Sequence, residues 1–160
     1  MKKFFSNIIL LITCIVLILS LFSCDVSPNS DYEKAKQGLI AAGYDEFLES
    51  DASSPSISQI IIAEKDDVNF DTIYIFYYSV DIDGEDDDEW LKSGASVLEN
   101  LRDKWLNDFK AAAAESQMSL EEFAKKEKID IEYYSSLEYG YGMHGNMAWY
   151  GTTLAIEAAQ

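Results

Sequence analysis

The stretch Asp71–Val80, DTIYIFYYSV, constrains the fold more than any other part of the chain. Its residues are β-branched or aromatic almost throughout, which suits a pleated strand. Successive side chains of a strand point to opposite faces. Ile73, Ile75 and Tyr77 therefore fall on one side, and Tyr74, Phe76 and Tyr78 on the other. A strand apolar on both sides belongs in the middle of a sheet, with material packed on each face. The preceding ISQIIIAE, Ile57–Glu64, reads as its neighbour, and KDDVNF between them is a hairpin connection.

Helical spacing accounts for most of the rest. Trp90, Leu91, Val97, Leu98, Leu101, Trp105 and Phe109 recur at steps of three and four and predict one long amphipathic helix. Its expected role is to lay that stripe on the sheet as a core face. Ser119 and Glu122 have the spacing of a capping box, so LEEFAKKEK predicts a separate short helix. Nearer the start, Tyr32, Ala35, Leu39 and Ala42 share a helical face. Ser30 or Asp31 can cap it, and Gly43 is placed to stop it.

DIEYYSSLEY, Asp130–Tyr139, predicts a third strand, YGYGMHGN a glycine-rich turn, and MAWYG, Met147–Gly151, a fourth strand. TTLAIEAAQ closes the chain as a short helix capped by threonine. The expected class is α+β: a mainly antiparallel sheet of about four strands in two hairpins, one long helix and two or three shorter ones. A chain of 160 residues is long enough for one such domain.

Charge excludes some functions. Residues 1–23 hold two of the 12 basic residues and no acidic ones. The remainder sets ten bases against 29 acids, a formal charge of −19. Nucleic acid repels such a body, and basic patches with interleaved aromatics are missing. The acidic run Asp81–Glu89 does not fit an EF-hand loop, because Gly84 stands fourth rather than sixth. It reads instead as a loop entering the long helix, with carboxylates favouring the N-terminal end of the helix dipole. His144 is the only histidine, and no G-x-S-x-G surrounds a serine, so a hydrolase triad has no basis. Gly140, Gly142 and Gly145 match G-x-G-x-x-G by letter, but strand-like sequence follows them where a helix is required. No metal, cofactor or catalytic set is expected. The aromatic residues Tyr74, Phe76, Tyr133 and Trp149 are candidates for a ligand pocket.

The first 24 residues, MKKFFSNIILLITCIVLILSLFSC, begin with two lysines and continue through a dense apolar stretch. Those are the marks of a secretory signal. Phe4–Phe22 covers 19 residues, close to the length that spans a bilayer, so apolar length alone leaves a membrane helix open. Leu21-Phe22-Ser23-Cys24 resembles the lipobox of bacterial lipoproteins. The resemblance implies diacylglyceryl attachment to the Cys24 sulfur and cleavage before it. Two acyl chains, unlike one, anchor a protein stably. Cys14 lies inside the apolar run, so a disulfide with Cys24 is not expected.

The expected organisation is a lipoprotein signal peptide over 1–23, a tether over 24–30 and a single acidic domain over 31–160. The expected location is the extracytoplasmic side of the cell membrane. Three roles remain open. They are a non-enzymatic binding or accessory module with an envelope protein partner, a small-ligand carrier using the aromatic hairpins, and an envelope enzyme using carboxylates. The first asks least of the sequence and is the expected one.

Overall fold

The computed structural model describes residues 27–49, 56–65, 70–82 and 86–160. The segment expected to be a signal peptide and Cys24 lie outside them. The elements run α1 (Tyr32–Ala41), β1 (Glu46–Glu49), β2 (Ile57–Glu64), β3 (Thr72–Tyr78), α2 (Asp86–Glu115), α3 (Leu120–Glu127), α4 (Ile131–Ser136), β4 (Tyr139–His144), β5 (Met147–Thr152) and α5 (Thr153–Ala158). The five strands form one sheet in the order β1-β2-β3-β5-β4, and every pairing is antiparallel. The class is α+β.

β3 is central, as its two apolar faces require. On one side Ile73, Ile75 and Tyr77 join Ile61 and Ala63 of β2 and Met147 and Trp149 of β5 in the main core. Ala35 and Leu39 of α1, together with Ala155, Ile156 and Ala159 at α5, close that core. The two helices approach closely because position 38 is glycine: a Cβ there collides with the Ala158 carbonyl. Asp31 caps α1 by accepting the Glu33 and Lys34 N–H groups at 3.1 and 3.2 Å, the second of the two candidate caps. Gly43, at φ +89°, follows the helix in the left-handed conformation that glycine tolerates.

On the other face α2 lies across β4 and β5. Gly94 lets its backbone rest on the Tyr150 ring, whose Cζ is only 2.9 Å from where a Cβ would stand. The buried stripe of α2 is Leu91, Ala95, Leu98, Arg102, Leu106 and Ala113. This corrects the expected stripe at Val97 and Leu101, which are 52% and 53% exposed. The inward line runs one position later, through an arginine. The Arg102 guanidinium donates to the Leu137 carbonyl and, at 2.9 Å, to Asp103, and it faces the Tyr139 ring at 5.3 Å. An arginine with those partners occupies a position that an apolar pattern skips.

Three further expectations change. Asp130–Tyr139 is not a strand: residues 131–136 form α4, capped by Asp130, which accepts the Tyr133 N–H at 3.0 Å. The aromatic content that suggested a strand serves a second core, where Tyr134 and Leu137 meet Phe70 and Leu106. The predicted glycine-rich turn is mostly β4, and the reversal occurs at Gly145 and Asn146. The sheet has five strands, because β1 adds to the outer edge of β2. The predicted pairing of β2 with β3 is present, the second hairpin forms from β4 and β5 rather than from residues 130–139, and the α3 capping box is present, with Ser119 and Glu122 exchanging hydrogen bonds at 3.1 and 3.2 Å. Thr152 caps α5.

Part of the expected tether is docked. Pro28 is buried. The Asn29 N–H donates to the Ala159 carbonyl at 2.7 Å, and its side-chain amide donates to the Gln160 carbonyl at 2.6 Å. The Tyr77 hydroxyl donates to the Asn29 carbonyl at 3.0 Å.

Candidate functional site

Strand parity separates the four aromatic residues expected to form a pocket. Tyr74 and Phe76 face the α2 side of the sheet, where Tyr74 stacks on Tyr150 at 4.7 Å and Phe76 meets Trp90 edge-on at 5.2 Å. Trp149 pairs with Ile75 in the ladder and is buried in the core on the opposite face. Tyr133 sits on α4 and reaches the Asp71 carboxylate. The sheet therefore brings two of the four together and places the other two elsewhere. Burial raises the Tyr74 and Tyr150 hydroxyl pKa values, assisted by the charge of Glu64 on Tyr74 and by Tyr74 on Tyr150.

Asp71 is the most constrained carboxylate of the described residues. It is fully buried. Its Oδ1 accepts from Tyr44 Oη at 2.8 Å and from Thr152 Oγ1 at 2.5 Å, and its Oδ2 accepts from Tyr133 Oη. Three hydroxyl donors replace water around the acid, as burial of a polar group demands. Burial first, then the Asp71 charge, pushes the Tyr44 hydroxyl pKa far up. This cluster joins the start of β1, the start of β3, α4 and the end of β5. No surface reaches the carboxylate, so the arrangement is architectural.

The open apolar concavity lies between α2 and α3. It encloses about 440 Å³ and is lined by Trp105, Asp108, Phe109, Ala112, Phe123, Glu127 and Ile129. Sequence and local structure build it in steps. The α2 residues stand at i, i+3, i+4 and i+7, which is one helix face. After Glu115 the chain reverses through Gln117, at φ 56°, and Ser119 starts α3 beside α2. Phe123 and Glu127 follow at i and i+4 on α3. Lys128 then adopts a left-handed conformation, and the Ile129 N–H bonds to the Ala124 carbonyl at 2.9 Å, which turns Ile129 into the groove. The rings run in series: Trp105 to Phe109 at 5.3 Å and Phe109 to Phe123 at 5.0 Å. Lys126 Nζ stands 5.6 Å from the Phe123 ring centre and 3.4 Å from Glu127.

This groove was not among the sequence expectations. Trp105 and Phe109 belong to the expected core stripe, and Trp105 does pack on the second core against Phe70 and Tyr134. The signal that marks their groove side is Asp108, which sits between them in sequence and on the same helix face.

The remaining motifs do not assemble. His144 is exposed at the end of β4. Gly140 and Gly142 lie within β4, where Gly142 pairs with Trp149, so they open no helix. Of the acidic run, residues 83–85 lie outside the described residues, and α2 begins at Asp86 as expected. Among the described residues no group of three or more histidine, cysteine or acidic side chains is placed to hold a metal ion. No described helix is long and apolar enough to cross a membrane. No protein-family model, no curated protein and no solved structure matches the chain.

Proposed function

We propose that this protein is a lipid-anchored, non-enzymatic binding module of the cell envelope, attached through Cys24 and binding its ligand in the α2–α3 groove. The groove carries the reading. It has the volume of a small-molecule site and a lining of aromatic and aliphatic side chains with few polar groups, the usual make-up of such sites.

The docked end of the tether adds support. Cys24 stands five residues before Asn29, a reach of at most about 18 Å. Asn29 is held at Tyr77, at one end of β3, while Phe70 beyond the other end packs on Trp105. The seven-residue β3 separates the two by about 20 Å. An anchor on Cys24 therefore tethers the domain by its Asn29 end, about 20 Å from the Trp105 end.

Two measurements test the reading. The first is intact-mass analysis of the membrane fraction from the native host. The expected product begins at Cys24 and carries a diacylglyceryl group, and Cys24→Ala releases the protein from that fraction. A full-length product with an unmodified thiol overturns the anchor. The second is nuclear magnetic resonance of the Trp105 indole during titration with small molecules, described next.

A further inference from the structure

We propose that the groove selects an organic cation with a compact apolar body, of the quaternary ammonium class. This rests on the groove being the binding site. The two polar side chains named in its lining, Asp108 and Glu127, are both carboxylates, and the floor is Trp105, Phe109 and Phe123. Aromatic faces carry negative potential and attract cations, most strongly those with a weakly held water shell. Both carboxylates are exposed, so a neutral apolar ligand gains nothing from them, whereas a cation on the rings gains their attraction. An anion meets two like charges and a strongly acidic body.

The protein's own Lys126, beside the groove, shows the chemistry, since its ammonium lies near both the Phe123 ring and the Glu127 carboxylate. Lys126 and Glu127 side chains are 57% and 44% exposed, so this pair is weak and a ligand displaces it.

The probes are choline and 3,3-dimethylbutan-1-ol, its neutral counterpart with carbon in place of nitrogen. They are titrated into the full chain in maltoside micelles and followed at the Trp105 indole resonance. Choline is expected to bind at least about tenfold more tightly than the alcohol. Asp108→Asn and Glu127→Gln each remove most of that preference while leaving the circular dichroism spectrum unchanged. Lys126→Ala strengthens choline binding a few fold by removing the positive charge beside Glu127. Equal binding of the two probes overturns the cation selectivity and leaves the groove as a binding site. No shift of the Trp105 resonance with either probe overturns the groove reading and this inference together. Binding of choline but not of phosphatidylcholine vesicles assigns the cation to a dissolved source, and the reverse assigns it to a lipid head group.

Discussion

Thr152 Oγ1 donates a hydrogen bond to Asp71 Oδ1 at 2.5 Å and accepts one from the Ala155 N–H at 3.2 Å. One hydroxyl thus satisfies a buried carboxylate and caps α5. The cap and the carboxylate are coupled through a single rotor, because the proton directed to Asp71 frees the oxygen lone pair for the helix.

Thr152→Val keeps the shape and removes both bonds. It is expected to destabilise the fold by roughly 2–4 kcal/mol, the sum of a lost cap and a buried acid left short of a donor. Thr152→Ser retains the hydroxyl and is expected to lose less than half of that. Urea unfolding followed by circular dichroism measures both; equal losses for valine and serine contradict the role of the hydroxyl.

Gly38→Ala tests the α1–α5 contact. Alanine favours a helix over glycine by about 1 kcal/mol in isolation. Here its methyl meets the Ala158 carbonyl, so the expected sign is reversed, with a net loss of about 1–3 kcal/mol. A raised melting temperature in the variant refutes the close approach.

Arg102→Met preserves an apolar stem but leaves the buried Leu137 carbonyl without its donor. The expected cost is about 1–3 kcal/mol. Asp103 and Glu99 are exposed and regain water, so their loss of a partner adds little. Hydrogen exchange is expected to speed up first around residues 137–139.

Alkaline stability follows from the tyrosines. Burial raises the hydroxyl pKa values of Tyr44, Tyr74, Tyr77 and Tyr150 in the folded protein above the ordinary value of about 10. A group whose folded pKa is raised contributes stability that is present below the unfolded pKa and lost as pH climbs towards the folded one. The protein is therefore expected to lose stability above about pH 10, and tyrosinate absorbance at these positions is expected to appear together with unfolding. Glu122 behaves in the opposite sense: hydrogen bonds from Ser119 lower its pKa, so the α3 cap weakens as pH falls through the carboxylate range. Glu122→Gln removes that acid dependence. Ionisation of these tyrosines in a still-folded protein contradicts their burial.

Local chemistry made much of the fold legible. Asp31, Ser119 and Thr152 were readable as caps because their side-chain oxygens bond N–H groups two or three residues away. The central place of β3 was readable from apolar residues on both of its faces. The errors fall where long-range packing outweighed local preference. Residues 131–136 have strand-like composition, yet the Asp130 cap and burial of Tyr134 against Phe70 make them α4. Arg102 took an inward position because its carbonyl partner is 35 residues away in the chain.

The candidate site was less legible than the fold. Its aromatic rings were visible, but strand parity divides Tyr74 and Phe76 from Trp149, and only the path of α3 brings Phe123 to Phe109. By itself the sequence determined the class, the β2–β3 pairing, helix caps, the acidic charge and the lipobox-like resemblance at Cys24, all of which follow from composition or from residue patterns close together in the chain. The tertiary structure decided the fifth strand, the buried Asp71 junction and the groove, because each requires residues more than ten positions apart in the chain to meet.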